Sequence, residues 1–280
     1  VTRGLVNTMF SPLSVQGPMA RNVPDVALFL DTMAGHCPAD PLTFDAPSTS
    51  FSATVREAKA PARVAYAETI GQSPVDRETR DICRAGMKTF EAMCAEVEEI
   101  SIDIAAVEDT FLALRSQQFV IDRELQLQSH GNQIKPDIIW NTELGLKQST
   151  SDLARAERGR AALYQQFMDL FAQYDLIVTP GANTPAFDVD LRHPVAIDGI
   201  KLEHYMAAST LTAAVTMCAS PALSLPCGFD QFGRPIGLQV VGRPRGEAAL
   251  LAAGALYEAA SGLSDLVPID PRPGVVPPLG

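Results

Sequence analysis

Cysteine is sparse and unpaired in this sequence: Cys37, Cys83, Cys94, Cys218 and Cys227 form an odd, scattered set with no CxxC spacing. Such a set excludes a disulfide framework of the kind that staples small secreted domains, and it suits free thiols in a reducing cytoplasm. The four histidines (His36, His130, His193, His204) lack metal-ligand spacing with one another or with cysteine, so neither a metal nor another cofactor is expected. HExxH, the G-x-S-x-G elbow, the P-loop and the dinucleotide fingerprint are all missing. Positive charge is in deficit, with a formal net charge of -11, and a phosphate backbone would be repelled by that field. Direct nucleic-acid binding is therefore not expected. The first residue is Val1 rather than methionine, and no basic segment leads into an apolar run, so the start reads as a cut.

Hydrophobic residues make up 46% and charged residues 20%, a balance that supports a buried core in an ordinary globular chain. The one long uncharged stretch, Tyr205 to Phe229, contains Ser209, Thr210, Thr212, Thr216 and Ser220 and is broken by Pro221 and Pro226. It reads as a buried helix followed by a core strand, and no membrane partner is expected.

Helical spacing of Val26, Phe29, Leu30 and Met33 after Asn22 predicts a helix closed by Gly35, and residues 36–60 read as surface loop. Arg63 to Tyr66, a helix capped by Asp76 with Ile82, Gly86, Phe90 and Met93 inward, and Val97 to Ile100 form a strand–helix–strand unit. Helical patterns follow from Val107 to about His130 (Phe111, Leu114, Gln118, Ile121) and from about Ser151 (Leu163, Phe167, Leu170, Phe171). Strands are expected at Leu176 to Val178, Ala222 to Leu225 and Gly237 to Val241, all buried. The last two are joined by the turn Asp230–Gln231–Phe232–Gly233. A helix from Glu247 to about Ser261 ends at Gly262, and the proline-rich tail (Pro268, Pro271, Pro273, Pro277, Pro278) reads as an extended strap. The pattern is α/β: a layered architecture of strands and helices.

Three strings are informative together: GPMARNVPDVALFLDTMAG (17–35), YDLIVTP (174–180) and PALSLPCGFDQFGRPIGLQVVGRPRGEAALLAAGALYEAA (221–260). With LRSQQF (114–119), KPDIIWN (135–141) and PAFDVDLRHP (185–194) between them, the chain resembles the amidase-signature family, whose members hydrolyse or transfer amide nitrogen. The resemblance covers nearly the whole chain, so residues 1–280 are expected to be the C-terminal portion of one amidase-signature domain. It implies a mixed central β-sheet flanked by helices, a small-molecule amide as partner, and a Ser–cis-Ser–Lys mechanism in which an unprotonated lysine draws a proton through a bridging serine from the nucleophile. The family carries those three residues in a Gly/Ser-rich region before the GPMAR-like string. Here only VTRGLVNTMFSPLSVQ precedes Gly17, and the sequence contains no Gly-Gly pair and no glycine-flanked serine cluster. The resemblance thus implies that the catalytic residues are absent and that this chain is inactive alone.

Ser11, Ser14 and Ser224 read as structural and do not fill that role. Candidate substrate-binding residues are Trp140, the sole tryptophan; Asn141 beside it; Gln117; and Cys218, which with Met217 matches a stretch that edges the family's pocket. Against each stands a plainer role: core filler for Trp140, a cap or turn for Asn141, an ordinary helix residue for Gln117, packing for Cys218. Cys94 and Ala219–Ser220 stand where the resemblance leads one to expect glycine. A non-catalytic binding or scaffold subunit is one alternative. Another is a cysteine hydrolase pairing Cys218 or Cys227 with His193 or His204. Homo-oligomerisation is left open, and a sheet short of cover is expected to expose apolar surface.

Overall fold

Asn22 accepts the Asp25 N–H on its side-chain oxygen at 2.8 Å and starts α1 (Val23–Met33), which stops before Gly35 at φ 151°. The computed structural model describes Val1, residues 7–93 and residues 96–263. Cys94 and the proline-rich tail therefore lie outside the described residues. The inward stripe of α1 differs from expectation: Val23 and Ala27 are buried against Leu250 and Leu251, whereas Phe29 is 48% exposed. Small Ala27 lets α1 approach the core more closely than Phe29 would. The presumed loop 36–60 also contains α2 (Phe51–Arg56), capped by the Ser50 side chain. Asp31 holds the start of this helix, accepting the Phe51 N–H at 2.6 Å and the Ser52 N–H at 3.0 Å. Ser50 was the available signal, one polar cap before a single buried Phe51.

β1 (Arg63–Tyr66), α3 (Arg77–Met93) and β2 (Glu96–Glu99) form the expected unit, with β1 and β2 parallel and Asp76 accepting the Thr79 N–H. There follow α4 (Val107–His130), α5 (Pro136–Leu146), α6 (Thr150–Phe171) and β3 (Leu176–Pro180). Pro136 at the helix start and Asp137 in the first turn are good local reasons for α5, a helix that the apolar periodicity does not reveal. A small hairpin, β4 (Ala196–Ile197) and β5 (Ile200–Lys201), adds to the expected elements. Its Asp198–Gly199 turn, both at positive φ (48° and 77°), is an Asp-Gly hairpin signal.

The chain then runs through a 3₁₀ turn (Tyr205–Ser209), α7 (Thr210–Met217), β6 (Ala222–Phe229), β7 (Pro235–Val241) and α8 (Glu247–Ser261), which Gly262 closes at φ 63°. Among the described residues no helix is long and apolar enough to cross a membrane, and the uncharged stretch divides into the 3₁₀ turn, a short helix and a strand.

The sheet order is β2-β1-β3-β7-β6, parallel as far as β3 and antiparallel beyond it, so it is mixed as expected. β3 is buried along its whole length, and its side chains alternate between two clusters. Leu176 and Val178 join α1, α3 and α8, while Ile177 joins α4, α6 and α7. β6 departs from the expected burial, because it forms the outer strand: Leu225 is buried, but Ala222, Ser224 and Pro226 are exposed.

Candidate functional site

α5 packs closely on α4 because Gly145 has no side chain; a Cβ there would fall 2.8 Å from the Ser116 carbonyl carbon. This packing carries the Trp140–Asn141 pair toward Arg115 on α4 and toward His204 and Tyr205 at the turn before α7. The Trp140 ring lies 5.4 Å from the His204 ring and 5.8 Å, edge-on, from the Tyr205 ring. Asn141, fully buried, is not a cap but a mid-helix residue. Its Nδ2 donates to the Asp137 carbonyl and to the Tyr205 hydroxyl oxygen, both at 2.6 Å. Arg115 Nη2 donates to the same hydroxyl oxygen at 3.3 Å. His204 Nε2 meets Glu108 Oε1 at 2.9 Å, and Arg192 pairs with Asp137 at the rim.

Three buried polar atoms in this cluster have no hydrogen-bond partner among the described residues: Asn141 Oδ1, Arg115 Nε and His204 Nδ1. Because Asn141 Nδ2 already serves a carbonyl, turning the amide over would only move the deficit. Leaving such groups unpaired costs on the order of 1–3 kcal/mol each, so their concentration in one place makes this cluster the candidate site. Asn141 Oδ1 is an acceptor and Arg115 Nε a donor beside an aromatic face, a pairing of the kind that suits a small polar group with an N–H and a carbonyl.

Gln117, on the same helix as Arg115, is exposed and lines a different space, a cavity of about 500 Å³ between residues 7–13, α4 and α6. Beside it Gln118 Nε2 donates to Ser11 Oγ at 2.6 Å. Cys218 is fully buried at the end of α7, and burial pushes its thiol up to about 12, so it remains protonated near neutrality. The histidines considered as its base are engaged elsewhere: His204 with Glu108 and His193 Nδ1 near the Pro194 carbonyl at 3.0 Å. Just beyond Cys218, Ala219 takes φ 50°, the left-handed conformation for which the resemblance suggested glycine, and Ser220 Oγ is buried without a partner among the described residues. The sequence does not single out Arg115 or Tyr205, and it offers His204 only as the base of a cysteine hydrolase. The available signals were a lone cation beside Leu114 and two ring-bearing residues at the start of the uncharged stretch.

A family model described as Amidase matches residues 2–251. An acylamidase of Rhodococcus erythropolis is 27% identical over 260 residues, covering 91% of this chain and 54% of that protein. A glutamyl-tRNA(Gln) amidotransferase subunit of Moorella thermoacetica is 28% identical over 274 residues, covering 89% of this chain and 54% of that protein. Among solved structures, a bacterial aryl acylamidase of the amidase signature enzymes family superimposes with a TM-score of 0.78 at 19% identity, covering 92% of this chain and 56% of that one. The structural likeness therefore speaks for the fold, and the chain spans about half the length of the curated relatives it matches.

Proposed function

The chain belongs to the amidase family, and from that premise we propose that it supplies one wall of the substrate pocket of an enzyme acting at a carboxylic amide C–N bond. The observation that carries this reading is the Trp140–Asn141–Tyr205 cluster with Asn141 Oδ1 buried and unpaired. In this role Asn141 Oδ1 accepts an N–H of the substrate, Arg115 Nε donates to its carbonyl side, and the Trp140 face covers its apolar part. Gln117 lines the cavity at the other side of α4 and is assigned to a more distant part of the substrate path. Cys218 supports the wall from within the core rather than reacting.

The chemistry follows the family's Ser–cis-Ser–Lys route: proton transfer to a neutral lysine, attack by serine on the amide carbon, and backbone N–H groups holding the oxyanion. In this reading neither the serines nor the lysine are among these 280 residues, which contain no Gly-Gly pair and no glycine-flanked serine cluster. The wall orients a small-molecule amide; the reading places it in the cytoplasm, with homo-oligomerisation as a further option. The acylamidase and amidotransferase relatives leave both transfer of the nitrogen to water and transfer to an acceptor within its scope.

The test is ammonia release by the 280-residue chain from aliphatic amides, aryl amides and glutamine. No turnover is expected. Turnover abolished by Cys218→Ala would establish a cysteine hydrolase instead, and turnover that survives it would place a nucleophile elsewhere in these residues.

A further inference from the structure

Cys83 on α3 and Cys227 on β6 are separated by 144 positions in sequence, yet their sulfurs lie 3.9 Å apart. Several independent features produce this approach. The β6–β7 register shifts between Pro226 and Gly228, so Cys227 is the extra residue of a β-bulge. A bulge redirects a side chain and releases it from the ladder, and here it faces α3. α3 comes close only because two glycines allow it. A Cβ at Gly86 would sit 2.8 Å from Cys227 Cβ, and one at Gly228 would sit 2.8 Å from Ile82 Cγ2. Cys83 is fully buried; Cys227 is partly exposed and so is the sulfur that solvent species meet first.

We propose that Cys83 and Cys227 are a latent disulfide, closed by a two-electron oxidant of the peroxide class. In the first step the Cys227 thiolate attacks one oxygen of hydrogen peroxide. The O–O bond breaks, Cys227 becomes a sulfenic acid, and hydroxide leaves to take up the thiol proton as water. In the second step Cys83 sulfur attacks the sulfenic sulfur, the S–O bond breaks, and a second water leaves with the Cys83 proton. The sum is two thiols and one peroxide giving one disulfide and two waters. The sulfurs need to close by about 1.9 Å to reach bonding distance, a movement that the unladdered bulge residue can supply. The contact with Cys227 and burial raise the Cys83 thiol well above its ordinary range, so closure is slow and needs a sustained dose of oxidant. The bond would tie α3 to the outer strand of the sheet across a long loop and hold that edge in place.

Treating the folded chain with hydrogen peroxide tests this. Expected results are loss of two titratable thiols, a mass lower by about 2 Da, a Cys83–Cys227 linked peptide in a non-reducing digest, and a melting temperature higher by several degrees that dithiothreitol reverses. Cys227→Ser should abolish the linked peptide and the thermal gain, while Cys218→Ser should keep both. Should Cys83→Ser fail to fold, Cys227→Ser and the peptide digest still decide. A linkage through Cys37 or Cys94, or oxidation to sulfinic acid with no link, would overturn the proposal.

Discussion

The β6–β7 turn and the α4–α5 cluster both bury charged or polar side chains, but they satisfy them differently. At the turn, Asp230 has a fully buried carboxylate, and it accepts the Phe232 N–H at 2.9 Å, the Arg234 N–H at 2.8 Å and Arg234 Nε at 2.5 Å. Burial alone would raise its pKa, yet these donors outweigh burial and hold it below the ordinary aspartate value. In the cluster, Asn141 is equally buried, but its Oδ1 has no hydrogen-bond partner among the described residues, and Arg115 Nε and His204 Nδ1 are in the same condition. A hydrogen-bond network closed on itself fixes a shape. One left open beside an aromatic face holds polar groups that a ligand would satisfy.

The largest expected effect lies on the closed side. Asp230→Ala removes three charge-assisted hydrogen bonds and leaves the part-buried Phe232 and Arg234 N–H groups without this acceptor, and it should cost about 3 kcal/mol, lowering the melting temperature by several degrees. A change within one degree would show that this turn is not held by Asp230. On the open side, Asn141→Ala should cost about 1 kcal/mol in stability. In an active enzyme containing this wall it should cost about 1–3 kcal/mol in kcat/KM for the amide that uses the bond, and less for others. An equal fall across substrates, tracking a fall in melting temperature, would return Asn141 to a packing role.

Asp31 gives an intermediate case, a partly exposed acid closing the start of α2. Burial would raise its pKa, but the Ser52 hydroxyl and the Ser52 and Phe51 N–H groups together lower it. A lowered folded-state pKa contributes stability above the unfolded value, near 4, which is lost as pH falls through the folded value. Asp31→Ala should therefore cost about 1 kcal/mol at neutral pH and almost nothing in strong acid, measured by urea unfolding across that range. A pH-independent cost would point to lost packing. The smallest effect is a gain: Ala219→Gly relieves the left-handed φ of 50°, with up to about 1 kcal/mol of added stability after the extra chain entropy of glycine is subtracted. No gain would mean that the surrounding fold already tolerates alanine there.

The sequence exposed the closed side more fully than the open one. Leu176 to Val178 is legible as a buried strand because an uninterrupted apolar run before Pro180 has few other outcomes, and the Asp230–Gly233 turn carries its chemistry in adjacent residues. β6 is harder to read: its apolar run resembles that of β3, but burial depends on neighbours, and among the described residues β6 has only one. Trp140 and Asn141 could be named as candidates from their rarity and chemistry. Their partners could not, because Arg115 and Tyr205 are separated by 90 positions and meet only where α4 packs on the turn before α7. α5 itself was hidden because its apolar residues are clustered rather than spaced, so its start at Pro136 was a better guide than its pattern.

The central claim, that the open cluster receives an amide, is tested most directly by the fluorescence of Trp140. It is the sole tryptophan, so its emission reports this place and no other. Titration of the chain with benzamide and hexanamide should give a saturable change in intensity or wavelength. The change should be weakened about tenfold or more by Asn141→Ala and be absent with carboxylate analogues that lack the N–H. Emission that does not respond to any amide, or that responds equally in Asn141→Ala, would contradict the account.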